Sequence, residues 1–436
     1  MPQLEAIGQA LLADWQGSLL ISTSILVLFV AAELWSRLGG APVEHTRKLT
    51  HLGSGVIVMG FPWLVESAWS VTLLALAFGG LLVIGKLTGL LQSIHNVKRR
   101  TQGAYLYPLA VLGTFLLAEG DPLLFCVPLA VMAVADTGAA LVGKHAGGLR
   151  YRVLDGERSL EGSLTFFGLA FAIVVVGLAL AGRPGWPASL LVTLVVALLT
   201  TSVEAASIRG SDNLLIPYAA WLALDRTLDL GLAGLEPWLF GMLLAGSSLA
   251  LSWRQADLTV AGAITVFLVG SLSYAEGGWA WALPYYGVYG LFLLAKVPRN
   301  EADLDDVFAT AAGSLALLLA YVHLQWDRLY LPFLVTISAN GGILMGFLVR
   351  QWAARREGLR WGWWAPAVLV GVAVPLVPAM LVGHVGVQSA LVAVLGGLVG
   401  TGIFVAIERL PFAGRRLASS LLVGLGALAL SYLLAS

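Results

Sequence analysis

The run LTFFGLAFAIVVVGLALA, Leu164 to Ala181, decides the class of fold. It holds no charged side chain and no alternation of polar with apolar residues. A membrane-crossing helix needs about 20 apolar residues. Backbone groups in lipid must be bonded internally, so only helices or closed barrels cross. A continuous run reads as a helix, since a barrel strand would alternate. Leu19–Ala32 and Leu417–Leu434 read the same way. The whole chain agrees: 436 residues, 58% hydrophobic, 11% charged, mean hydropathy +0.87, where soluble domains carry roughly 25% charged residues. The expected fold is all-α transmembrane, a polytopic helical bundle.

Charges, Pro and Gly clusters divide the chain into sixteen expected spans, beginning near residues 18, 50, 69, 104, 122, 161, 187, 212, 229, 258, 278, 305, 329, 363, 386 and 415. Of the 25 basic residues, 21 fall in the loops after odd-numbered spans and three, Arg183, Arg226 and Arg328, on the other side. Basic residues favour the cytosolic side, so both termini are expected outside and the odd loops in the cytosol. The remaining one, Lys86, falls inside a span and reads as a snorkelling side chain. The first 17 residues carry Glu5 and Asp14 but no Lys or Arg, so the first helix is expected to stay as an anchor. Cys126, the single cysteine, excludes an intrachain disulfide and reads as packing. With zero formal net charge, nothing points to a nucleic-acid partner. The expected location is the plasma (inner) membrane.

The polar residues cluster. Arg47-Lys48-Leu49-Thr50-His51 precedes span 2, and Lys98–Gly103 follows span 3. Ala135-Asp136-Thr137-Gly138 lies late in span 5, with Gly143-Lys144 and Gly147-Gly148 after it. Arg158-Ser159-Leu160-Glu161-Gly162-Ser163 opens span 6, Glu204 ends span 7, and Asp212-Asn213 opens span 8. The charge rule places all of these at cytosolic span ends. Such types suit phosphate chemistry. Paired carboxylates with substrate phosphates hold Mg²⁺, Lys and Arg neutralise phosphates, and helix starts favour anions. An Asp two turns inside an apolar helix is costly without a partner. Read one by one, these residues have blander roles, as ion pairs, topology signals, loop acids and turns. Together they indicate one cytosol-facing acidic and basic site.

These motifs resemble the CTP-dependent lipid-alcohol kinases, the family of phytol kinase and dolichol kinase. The resemblance spans residues ~45–220. It runs through Arg47-Lys48-x-x-His51, Thr101-x-Gly103 with Tyr107-Pro108, Ala135–Gly143, Ser159–Ser163 and Glu204…Asp212-Asn213…Pro217. Arg158 stands where that family usually has Lys. The resemblance implies transfer of the γ-phosphate of CTP, or another nucleoside triphosphate, to a long-chain isoprenoid alcohol such as phytol or geranylgeraniol. It implies Asp136 and Asp212 as Mg²⁺ carriers, with Arg47, Lys48, Gly143, Lys144, Arg158, Ser159, Gly162 and Asn213 toward the nucleotide. Glu161 would hold metal or nucleotide, and Glu204 or His51 would take the hydroxyl proton. Part of the pattern also looks like phosphatidate cytidylyltransferases, but the Gly-His-Gly-Gly stretch is missing. A transporter with a midplane site is the non-enzymatic alternative.

The expected division is 1–227, a kinase-like membrane domain, and 228–436, a degenerate and non-catalytic one. The second half resembles, more weakly, the family of phytyl-phosphate kinase and transmembrane protein 19, at Asp257–Ala263 and Gly277–Trp281. The acidic motif of that family is absent, and Ser338-Ala339-Asn340-Gly341-Gly342 stands as its nearest equivalent. Asp136 and Asn340 are 204 residues apart, as are Glu204 and Glu408. Two parallel eight-span repeats follow from that offset, with chance matching in an Ala- and Gly-rich chain as the competing reading. The acidic stretch Glu301, Asp303, Asp305 and Asp306 reads as a solvated loop. The second half could shape lipid entry or an oligomer contact.

Overall fold

The structure is a computed structural model. It describes residues 2–89, 102–153, 156–183, 185–207, 210–252, 260–295, 303–355, 364–382, 385–408 and 421–429. Lys98–Thr101, Ile208-Arg209, Asp257–Thr259 and Glu301 lie outside them. The chain divides into two compact units, Met1–Leu235 and Glu236–Ser436.

The first unit runs α1 (Pro2–Ala13), α2 (Trp15–Leu38), α3 (Val43–Val58), α4 (Phe61–Leu64), α5 (Ala68–Thr88), α6 (Gly103–Ala118) and α7 (Pro122–Ala130). A π turn (Val131–Ala135) leads directly into α8 (Asp136–Ala146). A hairpin of β1 (Arg150–Val153) and β2 (Gly156–Ser159) follows, then α9 (Leu160–Ala181), α10 (Ala188–Ala206) and α11 (Asp212–Thr227).

Helix α2 shows why these segments belong in lipid. Ile21, Ile25, Phe29 and Ala32 recur at helical spacing and are buried, while Leu19, Leu26, Val27 and Val30 are exposed on the other faces. An apolar surface of that extent is stable against lipid and not against water. Local chemistry sets the ends. Asp121 caps α7 by accepting the Leu123 N–H at 2.8 Å, with Pro122 at the first position. Ser159 caps α9 by accepting the Gly162 N–H at 3.1 Å. Gly182, at φ 68°, ends α9 in the left-handed conformation that glycine adopts without strain.

Helix α9 packs on α8 and α10, α10 packs on α11, and α11 packs on α6 and α7. The π turn sits at the centre of this arrangement, with Val131, Met132, Ala133 and Ala135 fully buried. Pro128 precedes it and removes one backbone donor from α7. α3 approaches the π turn closely enough that a Cβ on Gly55 would lie 2.4 Å from the Ala133 Cβ. Lys86 stands over the Tyr105 ring at 5.4 Å, a cation–π contact.

The second unit contains α12 (Glu236–Ser252), α13 (Val260–Ala295), α14 (Asp303–Leu324), α15 (Tyr330–Arg355), α16 (Trp364–Ala373), α17 (Leu376–Leu381) and α18 (Val387–Glu408). The expected spans near 258 and 278 form the two arms of α13, bent at Gly278 (φ 61°, ψ −157°). Asn340 is buried in α15 and donates from Nδ2 to the Ser314 Oγ at 3.2 Å. α15 packs on α16 at glycines, where a Cβ on Gly341 would meet the Gly371 carbonyl oxygen at 2.1 Å.

The protein is an all-helical membrane protein, with one hairpin among the described residues. Among the described residues, eight helices are long and apolar enough to cross a membrane, against sixteen expected. Three of the expected spans, α3, α6 and α11, have 16 residues each, and of the last expected span only residues 421–429 are described.

Candidate functional site

Helices α3, α8, α9, α10 and α11 and the hairpin bring their polar ends around one cavity of about 240 Å³. Lys48 and His51 are one turn apart on α3 and face the first turn of α8. The Lys48 Nζ donates to the Asp136 Oδ2 at 2.6 Å. The His51 Nε2 lies 3.7 Å from the same oxygen and 3.3 Å from the Met132 carbonyl oxygen of the π turn. Tyr107 of α6 stands edge-on to the His51 ring, with centroids 5.5 Å apart. Asp136 is thus a largely buried carboxylate with a cation against it, as the cost of an intramembrane charge requires.

Arg47 is held by Glu44, with its Nη2 2.7 Å from the Glu44 Oε1 and its Nε 3.3 Å from Oε2. Arg158 leaves the hairpin to pair with the Glu204 Oε1 of α10, and its Nη2 donates to the Ser207 carbonyl at 3.2 Å. The Glu204 Oε2 is buried and has no hydrogen-bond partner among the described residues. Asp212, the first residue of α11, faces Asp136 across the cavity and lies within the electrostatic reach of Arg158 and Lys48. Its Oδ1 accepts the Asn213 N–H at 3.0 Å, while the Asn213 Nδ2 donates to the Gly103 carbonyl at 2.9 Å and ties α11 to α6.

Twelve of the residues singled out from the sequence line this cavity: Arg47, Lys48, His51, Asp136, Gly143, Lys144, Arg158, Ser159, Gly162, Glu204, Asp212 and Asn213. Glu161 stands apart. Its carboxylate accepts the Leu149 N–H at 3.0 Å and 3.3 Å, fastening the Gly147-Gly148 loop to the start of α9. Gly162 is required by packing as well. A Cβ there would meet the Ser159 Oγ at 3.0 Å and the Ala139 carbonyl oxygen at 3.1 Å.

Sequence reasoning missed the hairpin, which adds Arg150 and Glu157 to the lining. The Asp155-Gly156 pair beside Tyr151 and Val153 was the available turn signal. It also missed the π turn, a feature that recurs at functional sites.

Among the described residues no three His, Cys, Asp or Glu side chains form a metal-holding group. Mg²⁺ does not need one. It is commonly held by one or two carboxylates together with substrate phosphates and water. Asp136 and Asp212, facing one cavity with Lys and Arg around them, fit that donor set.

No protein-family model matches the chain, and no solved structure matches it. A phytol kinase of Synechocystis sp. is 32% identical over 212 residues, which is 48% of this chain and 90% of the cyanobacterial one. The chain belongs to the phytol kinase family. The match leaves about half of this chain outside the comparison.

Proposed function

We propose that this protein transfers the γ-phosphate of CTP, or another nucleoside triphosphate, to the hydroxyl of a long-chain isoprenoid alcohol such as phytol or geranylgeraniol. The kinship with a phytol kinase supports the reaction class. The observation that carries the reading to residues is the cavity where Asp136 and Asp212 face Lys48 and Arg158 at the polar ends of membrane helices. The charge bias of the loops favours a cytosolic opening, where a water-soluble nucleotide meets an alcohol whose tail stays in lipid.

Phosphoryl transfer is catalysed mainly by positioning and charge neutralisation. Asp136 and Asp212 would hold Mg²⁺, which when bound neutralises the phosphate oxygens. Lys48, Lys144 and Arg158 surround the phosphates and stabilise negative charge. Arg158 is aimed by Glu204, and the Glu204 Oε1 is already engaged in that pair. This favours His51 over Glu204 as the group that accepts the alcohol proton. The second unit, with neutral Asn340 at the position matching Asp136, is proposed to be non-catalytic.

The test uses purified full-length protein with Mg²⁺ and γ-labelled CTP. The panel contains phytol, geranylgeraniol, farnesol and diacylglycerol, with phosphatidate as the rival substrate. Label in an extractable alcohol phosphate, abolished by Asp136→Asn, is the expected result. Pyrophosphate release with phosphatidate would reassign the protein to the cytidylyltransferases. An absence of nucleotide turnover on the whole panel would reject the kinase reading.

A further inference from the structure

The hairpin is the element of the cavity that the sequence pattern did not anticipate, and its two faces differ. Tyr151 pairs in register with Arg158, and Arg152 with Glu157. Strand side chains alternate in direction, so Tyr151 and Arg158 share one face, while Arg150 and Glu157 are diagonal neighbours on the other. The first face is fastened to the helices: the Tyr151 hydroxyl is 2.6 Å from the Ser163 Oγ of α9, and Arg158 is paired with Glu204 of α10. The base of the hairpin is fixed too, through the Leu160 N–H to the Leu149 carbonyl at 2.8 Å and Leu149 to Glu161.

On the second face Ser159 is fixed as the cap of α9, but the ion pair beside it is loose. The Arg150 Nη1 and the Glu157 Oε2 are 3.8 Å apart, and both side chains are more than half exposed, although both line the cavity. An exposed ion pair of that length holds its guanidinium weakly. A phosphate, by contrast, binds a guanidinium through two short charge-assisted bonds. The arrangement therefore places a weakly held, half-exposed arginine on the cavity lining.

We infer that Arg150 on this hairpin is a nucleotide-binding residue that leaves Glu157 to grip the terminal phosphates of a nucleoside triphosphate. This rests on the reading of the cavity as a phosphotransfer site. It adds Arg150 as a determinant of donor affinity and gives Glu157 the role of a competitor for it.

Equilibrium binding of the non-hydrolysable β,γ-imido analogue of CTP to the full-length protein, with Mg²⁺, tests it without requiring turnover. Arg150→Ala is expected to weaken binding roughly ten-fold, the scale of one charge-assisted contact, with an unchanged melting temperature. Glu157→Gln is expected to tighten binding or leave it unchanged. CMP, which lacks the terminal phosphates, should bind equally to wild type and Arg150→Ala. Unchanged analogue binding in Arg150→Ala would overturn the inference. So would an equal loss in Glu157→Gln, or an equal loss for CMP, since either would make the pair a structural fastening. If the wild type binds no triphosphate, this inference and the phosphotransfer reading fall together. Binding that depends on Arg150 without transfer to any alcohol would leave the hairpin role standing and reject only the proposed acceptor.

Discussion

Glu161 and Glu204 look alike in sequence, as acids at helix ends, each two residues after a Ser. Their surroundings part them. Glu204 is buried against Arg158 in the cavity wall, while Glu161 is spent on the Leu149 backbone. Replacing Glu161 by Ala is therefore expected to loosen the 147–160 segment. Faster cleavage there in limited proteolysis, and a nucleotide KM that rises more than kcat falls, would be the signature. A kcat loss of two or more orders of magnitude with unchanged proteolysis would instead mean a direct role at the reacting atoms. The chemical types of the site were legible in the sequence because buried acids and bases are rare in an apolar chain. The pairing was not legible: Lys48 meets Asp136 across 88 residues of chain, and no local pattern records such a partner.

At the scale of elements, close packing and a polar staple each lead to a prediction. α3 touches the π turn at Gly55, so Gly55→Val forces a methyl group into Ala133. Overpacking of this kind costs about 1–3 kcal/mol. A lowered melting temperature in detergent, with transfer activity reduced because Ala133 lies just before Asp136, is the expected outcome. Asp14, between α1 and α2, accepts the backbone N–H groups of Glu66 at 3.1 Å and Ser67 at 2.9 Å. Burial by itself would raise its carboxyl, but these donors outweigh burial and hold it below the usual carboxylate range. A group depressed on folding contributes stability above its unfolded pKa, about 4, and loses it as pH falls through the lower folded value. Thermal melts of wild type and Asp14→Ala should therefore differ at pH 7 and converge at the acid end. A constant difference at every pH would contradict this. The long helices were visible in hydropathy. The π turn was not, because Val131–Ala135 is as apolar as the helix it interrupts.

At the scale of the molecule, the repeat proposed from the offset of 204 residues would align Asn340 with Asp136. Asn340 is satisfied by Ser314 within a glycine-packed bundle. If the second unit has lost several parts of a site, restoring one acid restores nothing. The double variant Asp136→Asn/Asn340→Asp is expected to transfer no more label than Asp136→Asn alone. It should also melt lower, since a carboxylate inside a membrane helix costs about 3 kcal/mol. Recovered transfer would mean that the second unit keeps the rest of a working site.

By itself the sequence determined that this protein lives in a membrane, that its fold is helical, and that the acidic and basic residues now seen to line the cavity lie within the first 220 residues. Those properties follow from composition and from the spacing of charges in an apolar chain, which act locally. Only the tertiary structure decided which charges pair, that Glu161 serves the backbone, and that a hairpin carries Arg150 to the cavity. These depend on helices distant in sequence meeting at their polar ends. The cost of a lone charge in that setting favours the partner that packing brings within reach, as Asp136 takes Lys48 and Glu204 takes Arg158.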